Sequence, residues 1–148
     1  MESGQKQNAE AHWVLKGRVI SGARKAGFFT QLDWVQEQCL SKLGFRPYPG
    51  TLNIEICEED LEVIEAIKNV EGITLIPPNP QFCIAKAFPI SVSTVCGAII
   101  VPSEDVNIHG KTIVEVMAPV RLKDALGIAD GDLVALLVYR RPSSELKD

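Results

Sequence analysis

The sequence predicts a mainly β domain, a compact barrel with two or three short helical insertions. Short runs rich in branched aliphatic residues recur along the chain, clearest at residues 13–20, 52–57, 97–101, 113–117 and 133–139. In residues 52–57 the pattern alternates: Leu52, Ile54 and Ile56 are apolar while Asn53 and Glu55 are polar, the period of a pleated strand. About six or seven such strands stand against two or three helical patterns, too few helices for a regular βα alternation, so a barrel fits better than a doubly wound sheet. A chain of 148 residues with 46% apolar and 23% charged residues suits one domain with its own core.

In chain order, residues 1–12 are polar and read as a disordered N-terminal segment, residues 13–140 as the barrel domain, and residues 141–148 as a flexible tail. Residues 13–20 form a strand that ends at Ser21-Gly22; the loop 23–27 follows, and Phe28-Phe29 are expected to be extended. Residues 32–43 are the strongest helix, with Leu32, Val35, Cys39, Leu40 and Leu43 as its apolar stripe. Asp33 and Gln36 have the spacing of a capping box, and Gly44 stops the helix. After the strand 52–57, Glu58, Glu59 and Asp60 place negative charge at the positive end of a second helix over 61–69. Residues 73–76 are short and β-like, and the prolines of residues 77–80 stiffen a loop. Residues 82–95 read as extended, Pro89 marking a bulge or an edge position. Residues 97–101 and 113–117 are strands, residues 122–126 a short helix ended by Gly127, Asp130-Gly131 a turn, and residues 133–139 the last strand.

Composition narrows the function classes. No apolar run reaches the length of a membrane span and the polar start is not a signal peptide, so a cytoplasmic protein without membrane contact is expected. A net charge of −4 argues against a nucleic-acid partner, whose phosphates need a basic face. Cys39, Cys57, Cys83 and Cys96 form no CxxC pair and have only His12 and His109 to complete a metal set, so they read as buried small hydrophobes. A Cys–His nucleophile pair has no spacing to support it.

The most informative stretch is LGFRPYPGTLNIEIC, residues 43–57. It leaves a helix, turns through two prolines and a glycine, and sets Thr51, Asn53 and Glu55 along one face of a strand. A hydroxyl, a carboxamide and a carboxylate beside a tight turn suit magnesium, which takes oxygen ligands and shares them with substrate phosphates. A solvated strand face after a turn accounts for the same pattern.

Three segments together carry a resemblance to the archaeal-type CTP-dependent riboflavin kinases: GRVISG at residues 17–22, LGFRPYPGTLN at residues 43–53, and VEVMAPVRLKDALGIADGDLV at residues 114–134, with GAIIVP at residues 97–102 in support. The resemblance implies a six-stranded cradle-loop β-barrel that moves the γ-phosphate of CTP to the 5′-hydroxyl of riboflavin, giving FMN and CDP. It implies that Thr51 and Asn53 hold Mg2+, and that the loop Ala23, Arg24, Lys25, Ala26, Gly27 and Phe28 holds the nucleotide together with Arg121, Leu122, Lys123 and Asp124. Asn107 and Glu115 would face the flavin, Glu115 either as a hydrogen-bond partner of the ribityl chain or as a catalytic base. His109 reads as a flavin or phosphate contact or as a solvated loop residue.

The chain departs from that family in its first loop. Members usually read SGLGEGxY, small residues whose backbone amides wrap phosphates. Here Arg24 and Ala26 replace two glycines, Lys25 replaces the acid, and Phe28 lacks the tyrosine hydroxyl. Either Arg24 and Lys25 substitute side-chain charge for amide contacts, or the barrel binds flavin or nucleotide without transferring phosphate. Related barrels that bind DNA are a further reading, opposed by the acidic balance and the lack of a basic stripe. The partners expected are therefore small molecules, with no nucleic acid, no membrane and no obligatory protein partner.

Overall fold

A computed structural model describes residues 12–21, 28–68, 72–78, 84–102 and 113–139. The terminal segments expected to be loose lie outside these residues apart from His12, as do Asn69, Asn79, Pro80 and Cys83.

Among the described residues seven strands form one antiparallel sheet: β1 (His12–Ile20), β2 (Leu52–Ile56), β3 (Ile73–Leu75), β4 (Ala85–Val92), β5 (Val95–Pro102), β6 (Ile113–Met117) and β7 (Leu133–Tyr139). Their order is β3-β4-β5-β6-β2-β1-β7, and β7 returns to pair with β4 through Ile90↔Val138 and Ser91↔Leu137. Six strands thus close into a barrel, as the sequence and the resemblance led one to expect, and β3 hangs from β4 outside the ring. Among the described residues three helices punctuate it: α1 (Asp33–Leu43), α2 (Leu61–Lys68), which continues a 3-10 turn at Glu58–Asp60, and α3 (Leu122–Leu126).

The period of two sorts the strand residues into two cores. Inside the barrel lie Leu15 and Val19 of β1, Leu52, Ile54 and Ile56 of β2, Phe88, Ile90 and Val92 of β4, Ile99, Val116, and Leu136 and Val138 of β7. Ile64 and Ile67 of α2 and Leu122 of α3 pack onto this set. On the outer face, Val35 and Cys39 of α1 pack against Ile73, Leu75, Ala85, Ala87, Ala98, Ile100 and Met117. Alanines at three of those strand positions leave room for a helix to lie close to the sheet. Burial pushes the Cys39 thiol up to about 11, the response of an acid held away from water.

Several expectations need correction. Phe28 and Phe29 are not extended: Phe28 has helical backbone angles and precedes a 3-10 turn at Phe29–Gln31, and Phe29 meets Trp34 edge-on at 5.5 Å. There is no capping box, because Leu32 occupies the cap position and Asp33 is already helical, while the Gln36 amide donates to backbone carbonyls elsewhere. Leu40 is 44% exposed and leaves the apolar stripe, whereas Trp34 joins the outer core. Pro89 causes no bulge, since β4 and β5 pair without interruption from Ala85↔Pro102 to Val92↔Val95. It sits where β4 passes from β3, last paired at Ala87, to β7, first paired at Ile90. Of the cysteines only Cys39 is buried among the described residues; Cys57 is half-buried and Cys96 exposed.

Helix α1 also grips β3 by polar contacts. The Gln38 side chain accepts from the Ile76 amide at 2.9 Å and donates to the Ile76 carbonyl at 2.6 Å, and Lys42 donates to the Thr74 carbonyl at 2.7 Å.

Gly97 of β5 lies where a side chain would drive into the Met117 carbonyl oxygen and the Ala118 methyl. Gly97→Ala is therefore expected to cost about 1–3 kcal/mol, a fall of several degrees in thermal unfolding; an unchanged melting temperature would show that β5 and β6 can part there without loss.

Candidate functional site

The segment from Gly44 to Thr51 leaves α1 and is fixed through backbone groups of Gly44, Pro47, Tyr48 and Gly50. Gly44, in the left-handed region at φ 91°, ends α1 with its amide donating to Cys39 and Leu40 carbonyls. The Gln36 side-chain Nε2 donates to the carbonyls of Pro47 (2.8 Å) and Thr30 (2.7 Å), tying the segment to the 3-10 turn before α1. The Tyr48 amide donates to the Ala118 carbonyl at 2.7 Å, and the Gly50 amide to the fully buried Thr30 hydroxyl at 2.9 Å. Gly50 has φ 123°, a conformation that glycine adopts without a side-chain clash. These ties deliver Thr51 to the start of β2.

β2 pairs with β1 on one side and β6 on the other, with Asn53 opposite Ile20 and opposite Glu115. Cross-strand partners share a face, so Asn53 and Glu115 stand together on the outside of the barrel. The Thr51 hydroxyl donates to Glu115 Oε1 at 2.7 Å. Asn53 is only 6% exposed, and its Oδ1 has no hydrogen-bond partner among the described residues. A buried carbonyl left so costs about 1–3 kcal/mol, and such groups are rare enough in folded proteins to need a reason. The trio Thr51, Asn53 and Glu55 is therefore not a uniformly solvated face: Thr51 is half-buried, Asn53 buried, and only Glu55 exposed.

Asn53 opens onto a cleft of about 520 Å³, within the size range of small-molecule sites. One wall is Tyr48 to Asn53, another the β1 exit at Ile20 and Ser21 with Phe28 and Gln31, and a third Ala118 and residues 120–123. Of the described candidates, Thr51, Asn53, Phe28, Arg121, Leu122 and Lys123 line this space. Glu115 reaches it through Thr51, and Asp124 stands outside the lining with its carboxylate accepting from Arg121 at 2.8 Å. Ala23, Arg24, Lys25, Ala26, Gly27, Asn107 and His109 lie outside the described residues.

A partnerless amide oxygen, a hydroxyl whose proton is engaged elsewhere, and a carboxylate beside them form a set of hard oxygen donors. That set fits a magnesium ion by its chemistry.

On the opposite wall, Lys123 Nζ donates to Asp130 Oδ1 at 2.9 Å, and the Ser21 hydroxyl donates to Asp130 Oδ2. Those two hydrogen bonds, Ser21's first, hold the Asp130 carboxyl below its ordinary pKa. The turn carrying Asp130 is tied to β1: Gly131 N–H to the Val19 carbonyl at 2.7 Å, Val19 N–H to the Asp132 carbonyl at 2.9 Å, and Arg18 to the Gly131 carbonyl at 3.0 Å. Sequence reasoning gave Asp130 only a turn role and passed over Thr30 altogether. An acid, a serine and a lysine scattered over more than a hundred positions carry no local signal.

Removing the Thr30 hydroxyl should free the Gly50 amide while keeping side-chain volume. Thr30→Val is expected to lower stability by about 1–2 kcal/mol and to speed amide hydrogen exchange at Gly50; exchange as slow as in the parent protein would mean another group holds that amide.

Among the relatives similar to this chain are three riboflavin kinases. That of Thermococcus kodakarensis is 36% identical over 137 residues, covering 90% of this chain and 62% of the relative. That of Archaeoglobus fulgidus is 35% identical over 127 residues, covering 84% of this chain and 54% of the relative. That of Pyrobaculum arsenaticum is 35% identical over 128 residues, covering 84% of this chain and 60% of the relative. The chain thus spans little more than half the length of the curated relatives it matches. Residues 19–138, which hold most of the barrel, the Thr51–Asn53–Glu115 group and the Asp130 turn, match the family CTP-dep_RFKase, described as domain of unknown function DUF120, and the chain belongs to that family.

Proposed function

We propose that this chain is a CTP-dependent riboflavin kinase domain, transferring the γ-phosphate of CTP to the 5′-hydroxyl of riboflavin with Mg2+ and releasing FMN and CDP. The observation that carries the reading is the buried Asn53 Oδ1 without a partner, set beside the Thr51–Glu115 hydrogen bond at a cleft large enough for small-molecule substrates. The family match and the riboflavin kinase relatives supply the substrate class.

Asn53 and Thr51 would hold the ion. Glu115 accepts a hydrogen bond from the Thr51 hydroxyl, which would leave that oxygen's lone pairs for ligation. Bound there, the ion would neutralise charge on the triphosphate. Arg121, Leu122 and Lys123 hold the nucleotide together with the loop 23–28. Asp124 acts through Arg121, its ion-pair partner. Asn107 and Glu115 face the flavin. In the transfer the 5′-hydroxyl oxygen bonds to the γ-phosphorus, the bond from that phosphorus to the β–γ bridging oxygen breaks, and CDP leaves. Glu115 orients the hydroxyl and accepts its proton. A cytoplasmic setting suits such an enzyme, and no helix among the described residues is long and apolar enough to cross a membrane.

The test is an FMN assay with riboflavin, Mg2+ and either CTP or ATP. FMN from CTP alone is the expected result. FMN from neither donor, with flavin still bound in a fluorescence titration, would replace this reading by a binding barrel without transfer. Asn53→Ala is expected to reduce turnover by at least about a hundredfold while the melting temperature stays close to that of the parent, since Oδ1 satisfies no group of the fold. Turnover at the parental rate would remove Asn53 from the metal site.

A further inference from the structure

Asp130 does not line the cleft, yet both of its carboxylate oxygens are engaged by residues that do, Ser21 and Lys123. We infer that Asp130 is a positioning residue for nucleotide binding: it holds the Lys123 ammonium and the Ser21 hydroxyl at the cleft wall before the phosphates arrive. This rests on the nucleotide reading of the cleft given above.

The geometry supports the role in three ways. The carboxylate sits on a turn anchored to β1 by three hydrogen bonds that do not involve its side chain, so it is a fixed post. Lys123 ends a flexible stem whose immobilisation costs about 2 kcal/mol of rotamer entropy, and a tether made beforehand removes much of that cost from the binding step. An ammonium has three N–H donors; one goes to Asp130, and the others remain for a phosphate oxygen. The alternative, that the pair exists to stabilise the fold, is weak on magnitude. Its side chains are 28% and 53% exposed, and pairs that open to water contribute little. The consequence of the tether lies in where the charge is held.

The experiment measures CTP binding with Mg2+ by calorimetry and riboflavin binding by flavin fluorescence, on the full chain and on Asp130→Ala, Asp130→Asn, Lys123→Met and the double variant Asp130→Ala/Lys123→Met. Asp130→Ala is expected to weaken CTP binding about tenfold, with riboflavin affinity and melting temperature held. Asp130→Asn, which keeps an acceptor oxygen, should lose less. In the Lys123→Met background the Asp130→Ala change should cost clearly less than tenfold, because the part of its effect that runs through Lys123 is already gone and only the part through Ser21 remains. Parental CTP affinity in Asp130→Ala would overturn the inference, as would a full tenfold loss in the Lys123→Met background, or a parallel fall in riboflavin affinity and melting temperature. No CTP binding by the parent chain would overturn the nucleotide reading itself, and the inference with it, a result distinct from any of these.

Discussion

Two residue pairs, Ile90 with Val138 and Ser91 with Leu137, join β4 to β7 and turn an open sheet into a six-stranded ring. A closed ring fixes every register at once, because a slip in one strand must be absorbed by all the others. Register in turn decides which side chains face inward. A shift of one residue in β2 would put Asn53 among Leu15, Val19 and Leu136 and carry Ile54 to the cleft, so the chemistry of the site depends on a pairing made on the other side of the barrel.

The outer face of the ring is shared between two uses. Over β3, β4, β5 and the end of β6 it is apolar and lies under α1, with alanines where the helix comes near. Over β2 and the middle of β6 it is polar and opens to the cleft. The segment between Gly44 and Thr51 bridges the two, and its fixation is mostly polar: Gln36, Thr30 and the Ala118 carbonyl take up its backbone groups. Directional bonds of this kind place a backbone more narrowly than apolar contact does, which suits a segment that must set Thr51 beside Glu115.

The strands were legible because alternation is a local signal, and the β2 pattern also pointed to Thr51 and Asn53. The pairing of Asn53 with Glu115 was not legible from spacing alone, since it depends on which strands become neighbours; only the resemblance put Glu115 in the same site. Gln36 was misread because its spacing from Asp33 fits a capping box, while in the fold a longer-range demand from Pro47 and Thr30 wins. Phe28 and Phe29 misled through their β propensity, which the packing of Phe29 on Trp34 overrides. Leu40 matched the helical period and still faces water, because α1 meets the sheet along a narrow line through Val35 and Cys39.

β3 is the strand the ring leaves over, and a strand with an open side is a template on which another chain can add itself. Here three of the groups that such an addition would use are already occupied. Gln38 presents to Ile76 a donor and an acceptor, as a neighbouring peptide would, and Lys42 covers the Thr74 carbonyl with a charge. Helix α1, whose buried side builds the outer core, thereby also acts as a counterfeit strand. It takes up the Thr74 carbonyl and both backbone groups of Ile76 without lengthening the sheet by a single residue.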